Sequence, residues 1–186
     1  MRRRVYCSGS IQKGPADAKK LCWSDIERSR VSEGAYPVQI DFLNPDDPVT
    51  DLDDHLALFG RDMFQIQQCD VVIIDARERR GIGIGVELLA GRHFSRAVIA
   101  VLPPSSYYRQ SNVEYRGGVA KNYVHPHFMS LLDAYVDDFN AAGVWIRDQL
   151  PSFRPSPGTS TLDNAIEAYR KRLFPHDAPM KSLFAA

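Results

Sequence analysis

The apolar positions of this chain fall into short solid runs separated by longer stripes at helical spacing. Arg4 to Ser8 reads as a first strand and passes into a glycine-bounded turn, Gly9-Ser10-Ile11-Gln12-Lys13-Gly14. Pro15 suits the first turn of a helix, and apolar residues from Ala16 to about Val31, including Leu21, Cys22 and Ile26, recur with helical period until Glu33-Gly34 closes the run. Tyr36 to Leu43 alternates and contains β-branched residues, which predicts a second strand. Asn44 to Pro48 is a loop. Thr50 or Asp51 caps a helix reaching about Gln68, with Leu52, Leu56, Phe59, Met63, Phe64 and Ile66 on its apolar side. Val71 to Asp75 is a third strand, a helix begins near Ile84, and Ala97 to Leu102 is a fourth strand stopped by Pro103-Pro104. This β-α-β-α-β-α-β order predicts a parallel sheet with right-handed crossovers. The fold class is α/β, a flavodoxin-like or Rossmann-like sheet with helices on both faces.

Past Pro104 the pattern weakens. Ser105 to Tyr123 is polar, carries Tyr107, Tyr108, Tyr115 and Gly117-Gly118, and is long for a loop, which marks it as functional or mobile. His127 to about Phe139 reads as helix, with Phe128, Leu131, Leu132 and Tyr135 as its stripe, and Val144 to Ile146 as a short last strand. Residues 1–150 then form one α/β catalytic domain. Residues 151–186 form a C-terminal helical extension: a proline-rich linker, an amphipathic helix from Thr161 to Phe174 bearing Leu162, Ile166, Tyr169 and Leu173, and a tail that packs on the domain or on a neighbouring subunit.

Composition narrows the function classes. The 186 residues suit one domain with a good core, and 44% hydrophobic with 25% charged residues fits an ordinary globular protein. Lys and Arg balance Asp and Glu, so no whole-surface attraction to a nucleic acid polymer or an anionic membrane is expected. No apolar run reaches transmembrane length and none makes a signal peptide, which predicts a cytoplasmic protein. Cys7, Cys22 and Cys69 lack metal-ligand spacing and read as buried reduced thiols, and the five scattered histidines predict no metal site.

Open α/β sheets bind ligands beyond the carboxyl ends of their strands, and two loops lie there. The first, Ser8 to Gly14, offers backbone amides, the Ser10 hydroxyl and Lys13 to an anion, or is an ordinary strand-to-helix turn; it lacks the Walker spacing. The second runs Gly81-Ile-Gly83-Ile-Gly85-Val-Glu87, where alternate glycines leave bare backbone beside an acid. Glu87 is a candidate nucleophile if it lines a pocket, or a solvated acid favoured by the helix dipole. Asp62, on the helix before strand three, is a second candidate acid or a surface residue paired with Arg61. Asp75, at the end of strand three, is a further carboxylate placed near the ligand.

Taken together, Val5-Tyr6-Cys7-Ser8-Gly9-Ser10-Ile11, Arg61-Asp62, Asp70-Val-Val-Ile-Ile-Asp75 and Gly83-Ile-Gly85-Val-Glu87-Leu88 resemble the nucleoside 2-deoxyribosyltransferase family and its nucleotide N-glycosidase relatives. The resemblance covers roughly the first hundred residues. It implies that Glu87 is the nucleophile, that Tyr6 holds the Glu87 carboxylate, and that Asp62 contacts or protonates the departing base. Gly9, Ser10, Ile11, Lys13, Gly83 and Gly85 would contact substrate, with Asp75, independently of the resemblance, as a second carboxylate near the base. It implies no cofactor, a nucleoside or nucleotide and a nucleobase as small-molecule partners, and a homo-oligomer whose sites borrow residues from a neighbour. The family's neighbour-supplied asparagine motif has no counterpart after strand four; Asn112, Asn122 and His125 are the candidates for that contact. The loop Gly9-Ser10-Ile11-Gln12-Lys13-Gly14 resembles the phosphate-holding loop of the hydrolase branch. The expected activity is deoxyribosyl transfer between bases, with hydrolysis of a (deoxy)nucleoside 5′-monophosphate as the alternative and a non-catalytic nucleotide-binding module as the third reading.

Overall fold

The computed structural model describes residues 1–12, 14–46, 53–115, 117–155 and 160–184. Five parallel strands form its centre: β1 (Arg2–Ser8), β2 (Gln39–Leu43), β3 (Val71–Asp75), β4 (Ala97–Val101) and, far along the chain, a strand at Ala134–Val136. The helices between them are α1 (Asp25–Ala35), α2 (His55–Gln68) and α3 (Gly83–His93). After β4 come β5 (Arg109–Tyr115) and β6 (Gly118–Val124), then α4 (Pro126–Leu131), the edge strand β7 (Ala134–Val136), α5 (Phe139–Asp148), α6 (Ser160–Arg172) and α7 (Ala178–Phe184). The sheet order is β2-β1-β3-β4-β7, with every pair parallel. The chain moves outward from β1 to β2 and then returns to the other side of β1 at β3. The carboxyl ends of β1 and β3 therefore border a switch point, where such sheets hold ligands.

Strand alternation divides the core into two layers. Val5, Cys7, Val71, Ile73, Ile99 and Val101 face one way, with Val31, Phe139, Ala142 and Ile146 of α1 and α5. Tyr6, Val72, Ile74, Val98 and Ala100 face the other, with Ile66, Ile84, Leu88 and Phe128 of α2, α3 and α4. β3 and β4 are buried along their whole length, as expected for parallel strands covered on both faces. On the first layer α1 and α5 come into backbone contact. A Cβ on Gly34 would stand 2.0 Å from the Asn140 carbonyl oxygen, and one on Gly143 would stand 2.1 Å from the Val31 carbonyl oxygen.

Several elements differ from the sequence-based expectation. The first helix starts at Asp25, not Ala16, because Ser24 and Glu27 close a capping box there; only a single 3-10 turn, Pro15–Asp17, precedes it. β2 begins at Gln39. α2 begins at His55, capped by Asp54, which accepts from Ala57 N at 2.9 Å; Thr50, Asp51 and Leu52 lie outside the described residues. Only Ile66 of its expected apolar side is buried, while Leu56, Phe59 and Phe64 are exposed. The polar stretch after Pro104 is not a loop but an antiparallel hairpin, with Gly117 at φ 80° in its turn. The expected helix over residues 127–139 is cut into α4 and β7, and Val144 to Ile146 is helix, not strand. The tail carries a 3-10 turn, Phe174–His176, and α7. Cys7 and Cys69 are buried reduced thiols, while Cys22 is half-buried. No helix among the described residues is long and apolar enough to cross a membrane.

Candidate active site

β1 enters the core with Tyr6 and Ser8 on the same face, because residues two apart share a side of a strand. β1 pairs with β3 in the register Tyr6↔Val72 and Ser8↔Ile74, which carries both side chains toward α3. Glu87, the fifth residue of α3, folds back along the helix toward Gly83 and is 9% exposed. The Tyr6 hydroxyl donates to Glu87 Oε1 at 3.1 Å, and the Ser8 hydroxyl donates to Oε2 in a short hydrogen bond. Each carboxylate oxygen thus has one donor and keeps a further acceptor position. Glu87 is neither a solvated acid nor a first-turn residue. It is an enclosed carboxylate held in one orientation across 81 and 79 residues of sequence.

Burial pushes the Glu87 carboxyl above its ordinary range. The Ser8 and Tyr6 hydroxyls pull it back, and the charge of Asp62 raises it again. The Tyr6 phenol is driven far above its usual value, first by burial and then by the charges of Glu87 and Asp62, so it stays protonated as a donor. Asp62 on α2 is half-buried, and burial lifts its carboxyl too, opposed by Arg61. Both carboxyls are inclined to hold a proton, and the charge of Asp62 reaches Glu87.

The backbone around them is open. A Cβ on Gly83 would meet Glu87 Oε1 only at 4.0 Å, and one on Gly81 or Gly85 would meet nothing within 4 Å. Gly81 and Gly85 also line a largely apolar cavity of about 280 Å³ with Leu88, Tyr108, His125 and Phe128. Gly9, Ser10 and Ile11 leave β1 directly after Ser8 and are part-exposed. Lys13 lies outside the described residues. Asn112 and Asn122 are exposed on the hairpin, whereas His125 reaches the cavity.

Asp75 departs from the sequence-based expectation of a ligand contact. It is fully buried, and its oxygens are held by Arg77 Nε at 2.9 Å and Nη2 at 3.0 Å and by Arg80 Nη2 at 2.6 Å. Both Asp75 oxygens are thus engaged by arginines of the following loop. Two supporting residues escaped the sequence reading. Ser8 was signalled by its two-residue spacing from Tyr6. Arg80 carried no signal, because a run of charges normally reads as a solvated loop. Among the described residues no three His, Cys, Asp or Glu side chains converge as a metal site would require.

The fold is similar to that of a 2-desoxiribosyltransferase from Leishmania mexicana, with a TM-score of 0.52 and 15% sequence identity, covering 79% of this chain and 98% of that one. No family model and no curated protein sequence matches the chain. At this identity the likeness establishes the five-stranded parallel α/β architecture.

Proposed function

We propose that this chain cleaves the N-glycosidic bond of a 2′-deoxynucleoside and transfers the deoxyribosyl group to a second nucleobase, through a covalent ester on Glu87. The observation that supports this most is the enclosed carboxylate itself, gripped by Tyr6 and Ser8 beside glycine backbone at the switch point. A carboxylate oxygen attacks C1′ of the sugar, the C1′–N bond breaks with its electron pair leaving on the base, and Asp62 gives the base a proton. The incoming base then attacks C1′, breaks the ester and frees the Glu87 carboxylate, while its own proton returns to Asp62. The raised Asp62 carboxyl suits a proton donor, and the donors on Glu87 orient the attacking oxygen. The same reading makes the protein a cytoplasmic homo-oligomer acting on small molecules without a cofactor.

A second reading is hydrolysis of a nucleoside 5′-monophosphate. It is favoured by the loop at Gly9 and Ser10, which leaves the strand that grips Glu87 and could meet a 5′-phosphate on the same sugar. Incubation with a deoxynucleoside or its 5′-monophosphate, with and without a second base, separates the readings. A new nucleoside supports transfer. Free sugar or sugar phosphate with free base supports hydrolysis. Tight binding with no product in either case supports a binding module and removes both enzymes. Lys13→Ala weakens the monophosphate more than the nucleoside if the loop holds phosphate; equal losses exclude that role.

A further inference from the structure

Arg80 has a side chain 1% exposed, and every donor it carries toward the protein interior has a destination. Nη2 contacts Asp75 Oδ2 at 2.6 Å and Nε donates to the Asp75 carbonyl at 2.9 Å. Nη1 donates to Ser10 Oγ at 2.8 Å and to the Leu21 carbonyl at 2.7 Å. Ser10 and Leu21 stand at the two ends of the excursion between β1 and α1. Those ends are close: Ser10 forms a parallel bridge with Cys22, and Trp23 Nε1 donates to the Ser8 carbonyl at 2.9 Å. One guanidinium therefore fastens both ends of the excursion to the end of β3. Arg80 is itself fixed from behind, because its backbone N–H donates to the Tyr108 hydroxyl at 2.8 Å.

The charge of this group is already answered. Arg77 and Arg80 share Asp75, Arg77 also pairs with Glu27 at 2.9 Å, and Glu78 lies 3.6 Å from Arg80. Two cations among three carboxylates leave no free positive charge for a substrate anion. What remains for Arg80 is geometry. Gly9 rests on the same support: a Cβ there would lie 3.3 Å from Asp75 Cβ and 3.1 Å from Trp23 Cδ1.

We propose that Arg80 is a positioning residue for the candidate substrate loop: its guanidinium seats Gly9 and Ser10 beside Glu87 by tying Ser10 and Leu21 to Asp75. This rests on the reading of Glu87 and the β1 loop as one substrate site. Arg80 touches no reacting atom, so its removal acts on substrate engagement more than on the chemical step.

The test compares Arg80→Met, Arg80→Lys, Ser10→Ala and the Arg80→Met/Ser10→Ala double variant of the full chain, by amide hydrogen exchange and by deoxynucleoside kinetics. In Arg80→Met, exchange at residues 9–12 and 20–23 rises about tenfold or more while α5 amides keep their wild-type rates. KM rises about tenfold with kcat held within about threefold, Arg80→Lys recovers little of the KM change because one ammonium cannot reach Ser10, Leu21 and Asp75 together, and the double variant is no worse than Arg80→Met alone. Unchanged exchange at those residues overturns the proposal. So does a fall in kcat at constant KM, or fully additive losses in the double variant. If Arg80→Met does not fold, Arg80→Lys decides: faster exchange confined to the two loop ends supports the strut, and wild-type exchange removes it. If the wild-type chain cleaves no nucleoside, the Glu87 reading fails while the exchange data still decide the role of Arg80.

Discussion

Glu87 ionises against the preference of its surroundings. Its folded pKa lies above the unfolded one, so it stabilises the fold while protonated, and that contribution is lost as pH rises through the folded value. At neutral pH the charged form is a burden, one that the proposed nucleophile would carry for its chemistry. Glu87→Gln is therefore expected to stabilise the protein at pH 7 while abolishing the proposed turnover. The gain disappears below about pH 4, where the wild-type residue is neutral in both states; urea unfolding at the two pH values measures it, and a destabilised variant at pH 7 contradicts it. Tyr6→Phe removes one donor from the carboxylate. The acid limb of its pH–rate profile moves upward and kcat falls about tenfold or more; an unshifted limb would show that the hydroxyl does not act on Glu87. At this scale the sequence was informative where residue type and spacing coincide. The glycines flagged Glu87 and the family resemblance flagged Tyr6, while the two-residue spacing that sets Ser8 beside Tyr6 went unused. It was uninformative where a partner lies across the sheet: nothing local says that Asp75 meets Arg77 and Arg80 instead of a ligand.

Among the elements, buried β3 and β4 were legible because a solid apolar run bounded by polar residues has few other uses. The start of α1 was equally legible in Ser24-x-x-Glu27, nine residues beyond the Pro15 from which the helical run was read. α5 was misread as a strand from Val144 to Ile146. Phe139, Ala142, Gly143 and Ile146, its buried residues, stand at helical spacing once the whole segment is considered. The hairpin was hidden because both of its strands are largely exposed and lack apolar alternation; Gly117-Gly118 was its remaining turn signal. The α1–α5 contact yields a prediction of its own. Gly143→Ala pushes a methyl group into the α1 backbone, and overpacking without room to relax costs about 3 kcal/mol. Denaturant unfolding measures this, and a change under about 0.5 kcal/mol would mean the helices separate freely.

For the molecule as a whole, the β-α alternation was enough to fix a parallel sheet, and the return of β3 to the free side of β1 completes the flavodoxin-like order. What one chain leaves unfinished is its outer apolar surface. Leu56, Phe59 and Phe64 of α2, Val86 and Leu89 of α3, and Leu162 and Ile166 of α6 are exposed, and α6 buries no residue. A surface of this kind is characteristic of an interface, in keeping with the proposed oligomer. Sedimentation is expected to give a species heavier than the 21.0 kDa chain, and Leu89→Lys to dissociate it; a monomeric wild type would exclude the oligomer.

The two hydroxyls on Glu87 come from the opening strand, about eighty positions before the acid they grip. Any cut between Ser8 and Glu87 therefore leaves two pieces, one with the clasp and one with the proposed nucleophile, and neither carries the whole candidate site. On the proposed mechanism a nascent chain likewise stays chemically inert until α3 has emerged and docked. If mixing two such pieces restores the proposed base release, the catalytic unit is a tertiary object, absent from every contiguous stretch of the polypeptide.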